Sequence, residues 1–279
     1  MSPCIMRERF YIMIRSAMKE EAIMLFDSHA HLTDRRFDND REETIQRAFD
    51  SGIEYIMNPG ANFETSVEAI ELAEKYDRIY AAVGVHPHDA KTMDESMLLL
   101  LESMAKKKKV KAIGEIGLDF HYDNSPRDIQ RHWFREQIRM AKRVGKPVII
   151  HDREANQETF DILREEEAFE NGVLMHCYSG SAELARQYVK LGAYISIAGP
   201  ITYKNARKTV EVAEAIDLNH LMIETDCPYL TPVPYRGKRN ESAYVRHVAE
   251  KIAEVREISL EEVAEATLNN AKRFFRIEE

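Results

Sequence analysis

The chain has 279 residues, 44% of them hydrophobic and 31% charged, with a formal net charge of −9. This is the balance of a soluble protein with one large core, and no apolar run approaches the roughly 18 residues that a membrane span requires. The negative surface repels nucleic acid overall, so such a substrate must be drawn in locally, and three cysteines without a CxxC spacing suit a reducing, cytoplasmic setting better than a disulfide framework.

The first 23 residues carry Arg7, Glu8, Arg9, Arg15, Lys19, Glu20 and Glu21 scattered among apolar residues. They contain no uninterrupted apolar core and do not read as a secretory signal. Residues 1–23 are expected to form an extension outside the core, with the folded unit at 24–279.

The stretch Ile23-Met24-Leu25-Phe26 has the length and apolarity of a strand buried on both faces. It runs into Asp27-Ser28-His29-Ala30-His31. Side chains two apart on an extended backbone point the same way, so His29 and His31 can hold one ion between them. A helix is expected over 41–51, stopped by Gly52, then a strand over 53–57. The alternation continues with helix 65–76, strand 79–85, helix 94–106, strand 110–113, helix 125–143, strand 147–150, helix 156–167 and strand 172–175. Helix 182–190, strand 193–197, helix 205–215 and strand 221–223 follow, then two more helices over 242–257 and 259–275. Eight strands separated by helices, with no linker or low-complexity tract, predict an α/β fold of the TIM-type (β/α)8 barrel kind. A doubly wound open sheet is the alternative, since alternation does not set strand order.

In a barrel of parallel strands the residues just after each strand share one face, where the chemistry of such folds is kept. Six of the ten histidines fall there: His29 and His31 after the first strand, His86 and His88 after the third, His151 after the fifth and His176 after the sixth. Acidic residues top the fourth strand, in Gly114-Glu115-Ile116-Gly117-Leu118-Asp119, and the eighth, in Glu224-Thr225-Asp226. Any one of these could merely cap a loop; together they point to a convergent metal site. Four imidazoles and two carboxylates exceed the needs of one tetrahedral ion and leave room for two divalent cations about 3.5–4 Å apart. Glu115 is the natural bridge, with His29, His31 and Asp226 on one ion and His151 and His176 on the other. Asp226 is the expected general base for a water whose pKa a metal has lowered, which implies hydrolysis of an ester, amide or phosphodiester.

The motifs Phe26-Asp27-Ser28-His29-Ala30-His31-Leu32, Gly84-Val85-His86-Pro87-His88, Gly114-Glu115-Ile116-Gly117-Leu118-Asp119, Lys146-Pro147-Val148-Ile149-Ile150-His151-Asp152-Arg153 and Glu224-Thr225-Asp226-Cys227-Pro228 resemble those of the TatD family of metal-dependent deoxyribonucleases. The resemblance runs from about Met24 to the C-terminus. Ser242 departs from it, standing where the family usually has Pro after Arg239-Asn240-Glu241. The resemblance implies a barrel of the metal-dependent amidohydrolase kind, with divalent ions held by His29, His31, Glu115, His151, His176 and Asp226. It further implies magnesium-dependent hydrolysis of DNA from a 3′ end, with a transient DNA partner; Zn2+ or Mn2+ are the alternative ions, and the residues themselves point to no membrane and no obligate protein partner. An ester or amide hydrolase, such as a deacylase of aminoacylated nucleotides, is the alternative activity.

Arg153, Lys204 and Arg236 are candidates for holding a substrate phosphate, and each could equally pair with a rim carboxylate. His86 and His88 are expected to face the substrate or support the ligands, since the metal set is complete without them. The run Lys106-Lys107-Lys108-Lys109 precedes the fourth strand and is expected on the opposite, amino-terminal face as a solvated helix end.

Overall fold

Short aliphatic strands and amphipathic helices alternate along the chain, and in the computed structural model, which describes residues 23–278, the strands join into one sheet. They are β1 (Leu25–Asp27), β2 (Ile53–Pro59), β3 (Ile79–Val83), β4 (Val110–Asp119), β5 (Val148–Arg153), β6 (Val173–Met175), β7 (Tyr194–Ile197) and β8 (Leu221–Ile223). All neighbours are parallel and follow sequence order. β1 and β8 then meet: Ser28 donates to the Ile223 carbonyl at 3.1 Å, Asp226 to that of His29 at 2.9 Å, and His31 to that of Cys227 at 2.8 Å. These bonds close the sheet into a (β/α)8 barrel, and the open doubly wound alternative is excluded.

The helices are α1 (Arg41–Asp50), α2 (Phe63–Lys75), α3 (Glu95–Ala105), α4 (Arg127–Val144), α5 (Asn156–Glu165), α6 (Ala182–Lys190), α7 (Arg207–Ala215), α8 (Val245–Arg256) and α9 (Leu260–Phe275). Several start where the sequence supplies a side-chain cap for the free N–H groups of the first turn. Asn62 and Thr65 form a capping box at α2, Asp94 caps α3, Ser181 caps α6 and Ser259 caps α9.

Alternation along the strands sorts side chains into two layers. Leu25, Ile56, Val83, Ile113, Val148 and Ile150 pack outward among helix residues such as Ile45, Leu101 and Phe134. Phe26, Met57, Ala82, Ala112, Ile149, Leu174 and Met222 instead cluster with Leu268, Phe274 and Phe275 of α9. Phe26 stacks on Phe275 with ring centroids 5.6 Å apart, so α9 plugs the amino-terminal end of the barrel. Burial of each such aromatic stabilises the fold by roughly 1.5–3 kcal/mol. Only the carboxyl end is left open for a site.

β4 is longer than expected, reaching Asp119, and β5 reaches Arg153. Glu115 and His151 therefore stand within strands rather than after them. The lysine run lies at the amino-terminal end, as expected: Lys107 pairs with Glu74 at 3.0 Å, and the Lys109 ammonium donates to the carbonyls of Tyr76 and Asp77. The expected extension at residues 1–23 lies outside the described residues except for Ile23, which packs partly against the core. Among the described residues no helix is long and apolar enough to cross a membrane.

Candidate metal centre

Glu115 is the hub of the open end, and an irregularity in β4 puts it there. The pairing of β4 with β5 shifts between Ile113 and Ile116, and both isoleucines pack outward, which turns Glu115 into the barrel. Two glycines allow this. A Cβ on Gly114 would sit 2.7 Å from the Ile149 Cβ, and Gly117, at φ +147°, lies so close to β5 that a Cβ would sit 1.9 Å from the His151 carbonyl oxygen.

The two carboxylate oxygens of Glu115 face different imidazoles. Oε2 lies 3.4 Å from His29 Nε2 and 3.6 Å from His31 Nε2. Oε1 lies 2.9 Å from His151 Nδ1, 3.1 Å from His176 Nε2 and 3.5 Å from His86 Nε2. Asp226 closes the first group, its Oδ1 standing 3.4 Å from His31 Nε2 and 4.0 Å from His29 Nε2. Its backbone is left-handed at φ +53°, which costs a non-glycine residue of order 1 kcal/mol or more, and hydrogen bonds to the His29 carbonyl and from the Tyr229 N–H hold it there.

Three observations fit this donor set to bound cations. His29 and His31 present their Nε2 atoms to each other at 3.1 Å, as two lone pairs aimed at one ion would. Wholly buried His29 leaves its Nδ1 without a hydrogen-bond partner. Ligand atoms of His29, His31 and Asp226 lie within 4.8 Å of one another, as do those of His86, Glu115 and His151 and of His29, His176 and Glu224.

Second carboxylates orient the imidazoles from behind. His176 Nδ1 meets Glu224 Oε1 at 2.9 Å, so its Nε2 faces Glu115. Asp119 holds both His151 Nε2, at 3.1 Å, and His88 Nε2, at 2.8 Å, and is itself fixed by the N–H groups of His121 and Tyr122. Such partners set the tautomer and ring angle of a metal-binding histidine. The sequence placed Asp119 and Glu224 at strand ends without a role. The signal available there was a strand-end acid left over once the ions had been assigned.

Charge is distributed to match. Burial disfavours the Glu115 carboxylate, yet His176, His86, His29 and the bond from His151 outweigh it and hold its pKa well below the ordinary value. Burial likewise opposes the His176 imidazolium, but Glu224 and Glu115 raise its pKa well above the usual range. His86 goes the other way, pushed down by burial and by neighbouring His151.

One acid stands behind the site at the barrel seam. Asp27 of β1 accepts the Thr225 N–H at 2.8 Å and its hydroxyl at 2.6 Å, tying the strand that carries His29 and His31 to the segment that carries Asp226. Burial raises its pKa to about 7, against the opposing bonds from Thr225 and Ser242.

All six expected ligands converge. His86, expected to face the substrate or support the ligands, lies beside them, facing Glu115 at 3.5 Å with its ring 4.3 Å from His151. The ring of β3 against β4 and β5 that brings it there is not encoded in spacing. Arg153 lies at the rim over Tyr122, Arg236 lies over Tyr203, and Lys204 is exposed after β7. None of these three reaches Glu115 directly in the described contacts.

The family model described as "TatD related DNase" matches residues 26–276. A metal-dependent hydrolase of Bacillus subtilis, YabD, is 51% identical over 254 residues, covering 91% of this chain and all of that protein. Escherichia coli YcfH, also named a metal-dependent hydrolase, is 33% identical over 92% of this chain and 97% of its own length. The crystal structure of YjjV, a TatD homologue from E. coli, superposes with a TM-score of 0.87 at 32% identity, covering 92% of this chain and all of that one. An organophosphorus hydrolase from Deinococcus radiodurans shares the barrel alone, at 14% identity and a TM-score of 0.64. With nearly its whole length matched, the chain belongs to the TatD family and is a metal-dependent hydrolase.

Proposed function

We propose that the protein is a divalent-metal-dependent 3′–5′ exodeoxyribonuclease that acts on single-stranded or frayed DNA. The observation that carries this reading is the division of Glu115, each of whose oxygens faces its own set of imidazoles, as a carboxylate bridging two ions does. His29, His31 and Asp226 would hold one ion and His151 and His176 the other, with Glu115 facing both groups and His86 beside the second. Mg2+ is the ion proposed for nuclease turnover, and Zn2+ or Mn2+ would also suit an imidazole-rich set. Bound ions would polarise the phosphoryl oxygens and lower the pKa of the attacking water to about 7.

The side chains do the rest. Burial disfavours the Asp226 carboxylate, but the bond from His31 and the neighbouring histidines keep its pKa below the ordinary value, so it is ionised and able to accept a proton. It takes one proton from water as the oxygen attacks phosphorus; the P–O3′ bond breaks and the departing O3′ takes a proton from solvent. Glu224 and Asp119 keep the imidazoles aimed inward throughout.

The test is a 5′-labelled single strand incubated with the protein and Mg2+. Progressive shortening from the 3′ end supports the proposal. Nicking of a circular single strand would make the enzyme an endonuclease, and intact DNA with cleavage of carboxylic esters would favour the ester or amide alternative.

A further inference from the structure

Among the described Phe, Tyr and Trp side chains only Tyr122 and Tyr229 are exposed, at 55% and 46%, and both stand at the mouth of the metal centre. Tyr229 meets the His31 ring edge-on at 6.2 Å and 84°, and Tyr122 meets the His88 ring at 5.4 Å and 89°. Each carries a guanidinium over its face: Arg36 lies 4.1 Å from the Tyr229 centroid and Arg153 lies 4.8 Å from that of Tyr122. An exposed aromatic face backed by arginine is the usual platform on which a splayed base stacks.

The two platforms differ in charge. Arg36 is neutralised by Asp34, which accepts from its Nε and Nη2 at 2.9 and 2.8 Å and also from the Tyr229 hydroxyl at 3.3 Å. Arg153 forms no ion pair among the described residues, with its guanidinium 4.8 Å over Tyr122. The guanidinium over Tyr229 is therefore already paired, whereas the one over Tyr122 is free to meet a phosphate.

We propose that the two pairs form a polar clamp for a single strand, with the 3′-terminal base on Tyr229 and the upstream strand on Tyr122, a phosphate of that strand held by Arg153. This rests on the nuclease reading above. Two arguments set the direction. Beyond the scissile linkage the terminal nucleoside has no further phosphate, so its platform needs no free cation, whereas every upstream nucleotide brings one. In-line attack by water on the Asp226 side also sends the departing O3′ to the opposite side, towards His151, and O3′ belongs to the upstream strand. The clamp also answers how a chain of net charge −9 captures a polyanion.

The experiment uses the full chain with Mg2+ and single strands carrying 2-aminopurine at each of the last four positions, read by stopped-flow fluorescence before cleavage and by single-turnover cleavage. Tyr229→Leu should relieve quenching only for the terminal reporter, and Tyr122→Leu only for an upstream one. Each should raise the half-saturating enzyme concentration by about 5- to 100-fold, the range expected for one stacked base, with the maximal rate within a few-fold of the parent. Arg153→Gln should reduce the slope of log affinity against log salt by about 0.7, one phosphate contact on a single strand, while Tyr229→Leu leaves the slope alone. If the parent shortens the strand and both tyrosine variants match it, the clamp is overturned and the nuclease reading stands. Reversed reporter positions overturn the polarity. A parent that neither binds nor cleaves the strand overturns both.

Discussion

Replacing Asp27 tests whether the barrel seam is held by one carboxyl group. Asp27 is fully buried and accepts two donors from Thr225, at 2.8 and 2.6 Å, with a longer contact of 3.4 Å from the His29 N–H. Asp27→Ala leaves both Thr225 donors without an acceptor in a place water does not reach. At about 1–3 kcal/mol for each orphaned group the loss should be about 2–6 kcal/mol, a large part of the roughly 5–15 kcal/mol that holds a typical domain folded. Asp27→Asn should cost less than about 1 kcal/mol, because its carbonyl accepts the Thr225 N–H and its amide donates to the Thr225 oxygen once the hydroxyl rotates. The alanine variant should also bind less metal, since His29 and Asp226 lose their common anchor. Urea denaturation at fixed metal concentration and elemental analysis of the same samples measure both effects. An alanine variant within 1 kcal/mol of the parent, or an asparagine variant as damaged as the alanine one, would refute the reasoning.

At Asp226, substitution by Asn preserves a neutral oxygen for an ion but removes the proton acceptor, so turnover should fall by about 10²- to 10⁴-fold. Single-turnover rates beside metal analysis check this, and a near-parental rate at full occupancy would rule out Asp226 as the base. Glu224→Ala should release the His176 ring and weaken metal binding by about 10- to 100-fold, the usual scale for an orienting partner. Metal titration of the variant decides it, and unchanged affinity would show that His176 is held by packing alone.

The barrel was legible because its signal is repeated: each strand is a short apolar run and each helix keeps its own period, so small errors at the ends did not disturb the count. β4 was the exception. The strand was expected to end at residue 113, whereas Gly114 and Gly117 lie inside it, where β5 approaches too closely for any side chain. The convergence of the expected ligands was legible because strand ends share one face in any such barrel. The contact of His86 with Glu115 was not legible, because that distance depends on how β3, β4 and β5 curve round the ring, which no local pattern carries. The orienting roles of Asp119 and Glu224 were missed for a related reason. A carboxylate behind an imidazole and one in front of it look alike until the ring nitrogens have positions.

The seam between β1 and β8 also has a consequence for how the enzyme comes into being. His29 and His31 emerge early during synthesis, yet the carboxylate that completes their group is Asp226, on the far side of the closure. A nascent chain that has made seven strands lacks one carboxylate of this candidate group. The acid proposed as general base thus joins the two imidazoles only when the barrel closes.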